Sequence, residues 1–341
     1  MILVTGAAGH IGNVLVRELT RQLKQVRALV LPGEDTQSLS DSKPEIVEAN
    51  ILDYPALKKA MEGVDVVFHL ASLVALVPQQ FELMRRVNIE GTANVIRACQ
   101  EMGVKRLIYT SSIHAYGRPE KGLLIDECLP FDTECQRGTY DQTKAEASVL
   151  VRQAAKEGLD AILLHPTGVI GPHDFKRSEM GEMMLYWMKK SPTVTLDGAY
   201  DFVDVRDVVH THVQAIELGK PGESYILNGH HVTVREFRKL VQEAAGAQGK
   251  AVHFPIKLVR VFAPVAELYY KLAKKRPRLT IYALDTLSSN SVISSTKAAT
   301  ELGHKIRPIE ETVHDSVHWW KANELTVKPS LRNVLAIAKK A

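Results

Sequence analysis

Short apolar segments alternate with amphipathic helical segments through the first half of the chain, and this alternation most constrains the fold. In residues 11–23, isoleucine and leucine recur every four positions, which predicts a helix with one apolar face. Strands that alternate with helices predict βαβ units and a parallel sheet covered by helices on both faces. The predicted strands are 1–6, 25–31, 44–50, 64–72, 105–112 and 160–171, and the predicted helices are 11–23, 53–62, 80–101 and 139–157.

After residue 171 the regular alternation ends, which predicts a second structural unit. The pattern predicts a strand, a turn and a helix in 200–219, a strand in 223–229, and mostly helix in 233–303. We therefore expect a first domain, a smaller and mostly helical substrate lobe, and a basic tail. The first domain is 1–171, with 204–228 returning to its sheet; the lobe is 172–203 and 229–324; and the tail is 325–341.

Composition and charge exclude several classes of protein. The 341 residues suffice for about two domains, and 45% hydrophobic with 24% charged residues is typical of an ordinary globular protein. The net charge of +4 is not concentrated in a stripe, so we expect no nucleic-acid partner. Arg260 and Glu267 interrupt the most apolar late segment, 257–273, so we expect no membrane span there.

The cysteines and the first residues indicate the compartment. Cys99, Cys128 and Cys135 are odd in number and have no metal-ligand spacing, so we expect neither a disulfide framework nor a bound metal. The first strand starts at Met1, where a signal peptide would otherwise lie. Both observations favour a reducing, cytoplasmic location.

A glycine-rich turn, "TGAAGHIG", joins the first predicted strand to the first predicted helix. Gly6, Gly9 and Gly12 allow a tight turn and let backbone N–H groups approach a pyrophosphate at the positive end of the helix. The surrounding strand and helix are the context that makes this glycine pattern meaningful. The turn therefore predicts a dinucleotide site in a doubly wound parallel α/β fold of the Rossmann type.

The end of the second strand bears on the choice between NAD and NADP. An acid in this place accepts hydrogen bonds from the adenosine ribose and repels a 2′-phosphate. Leu31 occupies the place here, and Glu34 and Asp35 follow in "LPGED". Since repulsion is removed without an added cation, we expect weak discrimination, and the balance favours NADP over NAD.

"YDQTK" places Tyr140 and Lys144 four residues apart near the start of a predicted helix. Residues at this spacing lie on the same side of a helix. An ammonium group beside a phenol lowers the pKa of the phenol, which predicts a proton donor tuned towards neutral pH. The pattern also occurs by chance, so further motifs must decide whether the pair is catalytic.

Five motifs together resemble the extended short-chain dehydrogenase/reductase family, of the NAD-dependent epimerase/dehydratase type. They occur in the order and spacing of that family, most densely in residues 1–171. The resemblance implies a Rossmann domain, a bound NAD(P) and an enzyme. The motifs are "TGAAGHIG" (5–12), "FHLAS" (68–72), "VNIEGTANVI" (87–96), "TSSIHAYG" (110–117) and "YDQTK" (140–144).

The resemblance also implies roles for single residues. Ser112 matches the serine that binds the substrate oxygen, Tyr140 the acid/base, and Lys144 the lysine that holds the nicotinamide ribose. Asn50 lies where the family often has an aspartate that accepts from the adenine amino group. The implied cofactor-binding residues are Gly6, Gly9, His10, Ile11, Gly12, Asn50, Ile51, Leu70, Ala71, Tyr140, Lys144, Pro166, Gly168 and Val169.

Two departures narrow the activity. Ile113 and His114 stand where the sugar-nucleotide dehydratases of this family carry an acid pair, and Tyr200 stands where its epimerases tend to carry a diphosphate-binding arginine. A phenol is a poor replacement for a planar cation. The remaining pattern is similar to the branch of dihydroflavonol reductases and 3β-hydroxysteroid dehydrogenases. We expect a reductase or dehydrogenase that acts on an apolar carbonyl or alcohol, with a sugar epimerase and a dinucleotide-sensing regulator as alternatives.

The sequence also offers candidate residues for substrate contact and two helices that could pair in an assembly. His114, Met183 and Trp187 are candidates to line an apolar pocket, with ordinary packing as the alternative for each. The helices 80–101 and 139–157 flank the expected site and often pair across a two-fold axis in the resembling family. Apolar or small residues surround much of the second helix, so we expect a homodimer.

Overall fold

The structure is a computed structural model that describes residues 1–74, 80–120, 122–136, 138–189, 192–261, 281–288 and 292–323. The predicted segment 257–273 lies partly, and the tail 325–341 wholly, outside these ranges. The strands are β1 (Ile2–Thr5), β2 (Val26–Val30), β3 (Glu45–Glu48), β4 (Val66–His69), β5 (Arg106–Thr110), β6 (Ala161–Pro166), β7 (Gly168–Ile170), β8 (Thr193–Leu196), β9 (Ala199–Asp204), β10 (Ser224–Leu227), β11 (His230–Thr233) and β12 (Ala251–Phe254).

Helices alternate with the strands of the first half, as the sequence predicts. The predicted helix 80–101 is divided into α3, a π-helical segment at Arg86–Glu90, and α4. The helices are α1 (His10–Arg21), α2 (Tyr54–Ala60), α3 (Phe81–Arg85), α4 (Gly91–Met102), α5 (Thr139–Lys156), α6 (Glu179–Trp187), α7 (Val205–Leu218), α8 (Val234–Ala245), α9 (Ile281–Leu287), α10 (Thr296–Leu302) and α11 (Ile309–Asn323).

A seven-stranded parallel sheet forms the centre of the molecule, in the order β10-β6-β5-β4-β1-β2-β3. Alternate side chains of its strands point to opposite faces and bury themselves under helices. Leu3, Val67 and Leu107 belong to one buried cluster, whereas Val4 and Phe68 belong to the other. The doubly wound α/β fold that the sequence predicts is confirmed.

The chain leaves the central sheet after β6. The predicted strand 160–171 is in fact two strands, because β7 pairs with β9 in a three-stranded sheet while β6 stays in the central sheet. β11 completes the small sheet, and β8 pairs with β12, a strand that the helical pattern of 233–303 does not predict. β10 lies at the edge of the central sheet beside β6. The division of the chain into domains at residue 171 stays a proposal.

Parallel strands bring their carboxyl ends to one edge of the sheet, and this edge positions the site. β1, β4 and β5 end there at Thr5, His69 and Thr110, side by side with β6. No helix in the described ranges combines the length and apolar character needed to cross a membrane.

Candidate active site

The turn after β1 packs directly against the end of β4. Gly6 has a φ of +67°, and a Cβ there would lie 2.8 Å from the backbone nitrogen of Ala71. The Thr5 hydroxyl accepts hydrogen bonds from the N–H groups of Leu70 and Ala71, at 3.2 and 3.1 Å. The structure thus brings together the predicted glycine turn and the predicted Leu70–Ala71 segment.

The amino end of α1 has the properties of an anion site. Gly9 is its N-cap and offers no side-chain acceptor, and the first turn carries no acidic residue. His10 turns its Nε2 to the carbonyl oxygen of Pro172, at 3.0 Å, so its side chain is directed to the loop after β7. The first-turn N–H groups of His10, Ile11 and Gly12 have no partner in α1 itself, which fits a pyrophosphate of a dinucleotide.

The other predicted cofactor residues line the same sheet edge. Asn50 follows β3 and accepts a 3.0 Å hydrogen bond from the N–H of Leu52, which leaves its amide further acceptor capacity. Ile51 is buried, and its carbonyl accepts from the Asn94 side chain. Pro166 ends β6, and Gly168 with Val169 begins β7.

Ser112, Tyr140 and Lys144 meet at the carboxyl end of β5. Ser112 follows this strand and caps a short 3₁₀ turn, Ile113–Ala115, by accepting from the N–H of His114. Lys144 is 3% exposed and donates from Nζ to the Thr110 carbonyl at 2.9 Å. Tyr140 lies one turn before Lys144 in α5, and the Ser112 side chain acts on its phenol so as to lower the pKa. A carbonyl oxygen of a substrate would thus find two hydroxyl groups and one nearby amine.

The environment of the site shifts the pKa values of Tyr140 and Lys144 so that the uncharged form of each is favoured. Tyr140 keeps partial exposure, yet desolvation raises the pKa of its phenol to about 12, although the hydrogen bond with Ser112 acts against the rise. Burial lowers the pKa of Lys144 to about 7. The sequence-based expectation of a tyrosine pKa near neutral differs from this structure, in which desolvation is the largest influence on the phenol and raises its pKa. Tyr140 therefore holds its proton at neutral pH.

A charged cluster that the sequence did not predict lies beside Tyr140. Asp141 is fully buried and accepts from the Tyr282 hydroxyl at 2.6 Å and from Arg118 Nη2 at 3.2 Å. His114 Nδ1 lies 3.2 Å from the same carboxylate, and the His114 ring stands edge-on to Tyr140 at 5.9 Å. Burial acts to raise the pKa of Asp141, but its bonds and charged neighbours outweigh this and lower it.

Asn88 fixes α5, the helix that carries Tyr140 and Lys144, to the loop after β4. Its Nδ2 donates to Thr143 Oγ1 at 3.1 Å, and its Oδ1 accepts from the N–H of Leu73 at 2.8 Å. Thr143 in turn donates to the carbonyl of Tyr140. Asn88 therefore acts on the site through other residues.

Two predicted substrate residues lie in a third buried cluster, apart from the two that cover the central sheet. Trp187 is 2% exposed and packs edge-on against Phe237, with ring centroids 5.8 Å apart. Met183 is partly buried against the same cluster. This geometry fits packing better than substrate contact, whereas His114 lies next to Tyr140.

The comparison with known proteins identifies the family. The sequence model of the NAD dependent epimerase/dehydratase family matches residues 2–228. This chain belongs to that family. The extended short-chain dehydrogenase/reductase resemblance is thereby confirmed, and the chain is an NAD(P)-dependent oxidoreductase of this type.

Three proteins that are similar to this chain match it over almost its whole length. Sterol demethylase protein B of Methylococcus capsulatus is 29% identical over 326 residues, which are 94% of this chain and 98% of that protein. The 3beta-hydroxysteroid-dehydrogenase/decarboxylase isoform 1 of Arabidopsis thaliana is 32% identical over 345 residues, covering 92% of this chain and 78% of that protein. The crystal structure of gox2253 has a TM-score of 0.82 and 30% identity, and the match covers 95% and 98% of the two chains.

Proposed function

We propose that this protein transfers a hydride between the nicotinamide of NAD(P) and a ketone, aldehyde or secondary alcohol of an apolar small molecule. The observation that carries the proposal is the meeting of Ser112, Tyr140 and Lys144 at the end of β5, where Lys144 donates to the Thr110 carbonyl and the Ser112 side chain acts on the Tyr140 phenol. Bound NAD(P)H supplies the hydride. The chain supplies the position, the hydrogen bonds and the proton.

Each residue has a separate task in reduction. Ser112 donates a hydrogen bond to the substrate oxygen, on which negative charge develops as the carbon receives hydride. Tyr140 transfers its proton to that oxygen, so the alkoxide becomes an alcohol. Lys144, held by the Thr110 carbonyl, stabilises the resulting Tyr140 phenolate. The phenolate then takes up a proton from water. With a pKa of about 12, Tyr140 is protonated at neutral pH, which is the form that reduction requires.

Two features support an apolar substrate over a nucleotide sugar. Tyr200, in the place of a diphosphate-binding arginine, is partly buried and packs on Phe202 with ring centroids 5.5 Å apart. His114 takes the place of a dehydratase acid. Relatives whose names refer to sterols and 3β-hydroxysteroids support the same class. We therefore infer an apolar alicyclic carbonyl or alcohol as the substrate.

The proposed function is tested with purified protein, both reduced cofactors, a panel of steroid and simpler cyclic ketones, and UDP-glucose. We expect net oxidation of NADH or NADPH with at least one ketone and no change of UDP-glucose. Epimerised UDP-glucose without net cofactor oxidation would replace the proposal with the epimerase alternative. Cofactor binding without turnover of any panel member would favour a regulator.

We further propose that two copies of the chain pair through α4 and α5. Val149 on α5 is 37% exposed although it is apolar, and Leu150 beside it is half-buried. Apolar residues on the outer side of a helix are stabilised when a second copy covers them.

A further inference from the structure

Glu34 supplies a carboxylate at the end of β2, although the sequence has Leu31 in that place. The N–H of Glu34 donates to the carbonyl of Leu31 at 2.9 Å, which closes a tight turn. Glu34 Oε2 then accepts from the N–H of Leu31, also at 2.9 Å. The side chain therefore folds back, and its charge lies at the strand end rather than in solvent.

Lys176 reaches the same carboxylate from the loop after β7. This loop runs along α1, where the carbonyl oxygens of Pro172 and His173 contact the side chains of His10 and Asn13 at 3.0 and 3.1 Å. Lys176 Nζ donates to Glu34 Oε1 at 2.8 Å. The two side chains are 31% and 17% exposed, so solvent screens their interaction only in part.

The other nearby charges are engaged elsewhere. Arg17 donates to Asp41 at 3.0 Å and to the Ser38 carbonyl at 2.9 Å. Asp35 accepts from the N–H of Gln37. Among the described residues, Glu34 and Lys176 are thus the oppositely charged pair placed directly at the end of β2.

We propose that Glu34 and Lys176 together form the site that distinguishes the 2′ position of the adenosine ribose. This inference rests on the proposed dinucleotide-dependent function. In the fold, an acid near the end of β2 accepts from a ribose 2′-hydroxyl, whereas a cation accommodates a 2′-phosphate. Because the two side chains neutralise each other, neither nucleotide is strongly repelled. Glu34 accepts a hydrogen bond from the 2′-hydroxyl of NADH. For NADPH, Lys176 separates from Glu34 and binds the 2′-phosphate.

Single substitutions in the pair should move the preference in opposite directions. Glu34→Gln keeps an acceptor for the Leu31 N–H and frees the charge of Lys176, so it should strengthen NADPH binding relative to NADH by about tenfold. Lys176→Met leaves the carboxylate uncompensated and should shift the ratio by about tenfold towards NADH. Glu45→Gln is the matched control, because Glu45 pairs with Arg27 near the opposite end of β2.

The measurement is the dissociation constant of each reduced nucleotide, taken from its fluorescence in titrations of wild type and the three variants. Opposite shifts in the Glu34 and Lys176 variants, with no shift in the control, support the assignment. A ratio of the two constants that stays within about twofold of wild type in both variants overturns it. A wild-type protein that binds neither nucleotide overturns the proposed function as well, so the two failures are distinguishable.

Discussion

The hydroxyl of Tyr282 donates a 2.6 Å hydrogen bond to Oδ1 of Asp141, one residue after Tyr140. This bond joins α9, from the C-terminal part of the chain, to α5, the helix that carries Tyr140 and Lys144. The contact is close, since a Cβ added to Gly138 would lie 2.6 Å from the Tyr282 ring. The Tyr282–Asp141 contact thus holds α9 against the part of α5 that carries Tyr140.

Removing this hydroxyl should destabilise the protein measurably. Tyr282→Phe keeps the ring against Gly138 but takes one donor from a buried carboxylate, which should cost about 1–3 kcal/mol of unfolding free energy. Urea denaturation measures the difference. Tyr186→Phe serves as control, because the Tyr186 hydroxyl only accepts a long 3.4 Å bond from Val194. Equal losses of unfolding free energy in the two variants would show that the bond to Asp141 contributes no more to stability than the weak bond of Tyr186.

Tyr140→Phe should abolish most turnover while leaving cofactor binding intact. The substitution removes the proton donor but keeps the ring, and loss of a positioned acid typically costs ~10²–10⁴ in rate. The measurement pairs kcat on the identified substrate with the dissociation constant of the cofactor. Near-normal kcat in the variant would refute the role of Tyr140, and Tyr54→Phe, distant in α2, provides the control.

Stability should fall as the pH falls below about 6.5, in part because of His69. This ring is fully buried between Thr5 and Thr92, with contacts of 2.8 and 3.0 Å, and burial lowers its pKa to about 3. Between pH 6.5 and 3 the unfolded chain takes up a proton that the folded chain does not, so unfolding becomes more favourable.

The His69→Gln variant should therefore lose less stability on acidification than wild type. The slope of unfolding free energy against pH should be smaller by up to about 1.4 kcal/mol per pH unit in this window. Denaturant titrations at several pH values give the slope, and His231→Gln, at an exposed position, is the control. An unchanged slope in the His69 variant would contradict a buried neutral imidazole.

The proposed dimer gives a prediction about mass. Light scattering at micromolar concentration should give twice the mass of the chain, and Val149→Glu should shift the mass to that of one chain. A charge at an apolar contact must be desolvated when the copies associate. A wild-type protein that is strictly monomeric would exclude the dimer.

The sequence predicts the parts of the fold and site that depend on local pattern. The alternation of strands and helices, the glycine turn and the placing of Ser112, Tyr140 and Lys144 follow from short-range spacing and motif. The break between β6 and β7 could not be predicted, since one apolar segment, 160–171, supplies both strands and only their partners separate them.

The unpredicted parts of the site depend on contacts between distant positions. Asp141 and Tyr282 are 141 residues apart, and Glu34 and Lys176 are 142 apart. No periodicity connects such pairs. The pKa of Tyr140 could likewise not be predicted from the sequence, because the degree of desolvation is a property of the packed site.

The central claim, hydride transfer with Tyr140 as the proton donor, is tested most directly with cofactor deuterated at C4 of the nicotinamide. Wild-type protein is incubated with the labelled NADH or NADPH and the ketone panel, and the products are analysed by mass spectrometry. We predict one deuterium on the carbinol carbon of a product alcohol, formed at least ~10² times more slowly by Tyr140→Phe. A wild-type protein that binds the labelled cofactor but yields no deuterated alcohol from any ketone, or a Tyr140→Phe variant as fast as wild type, would contradict the account.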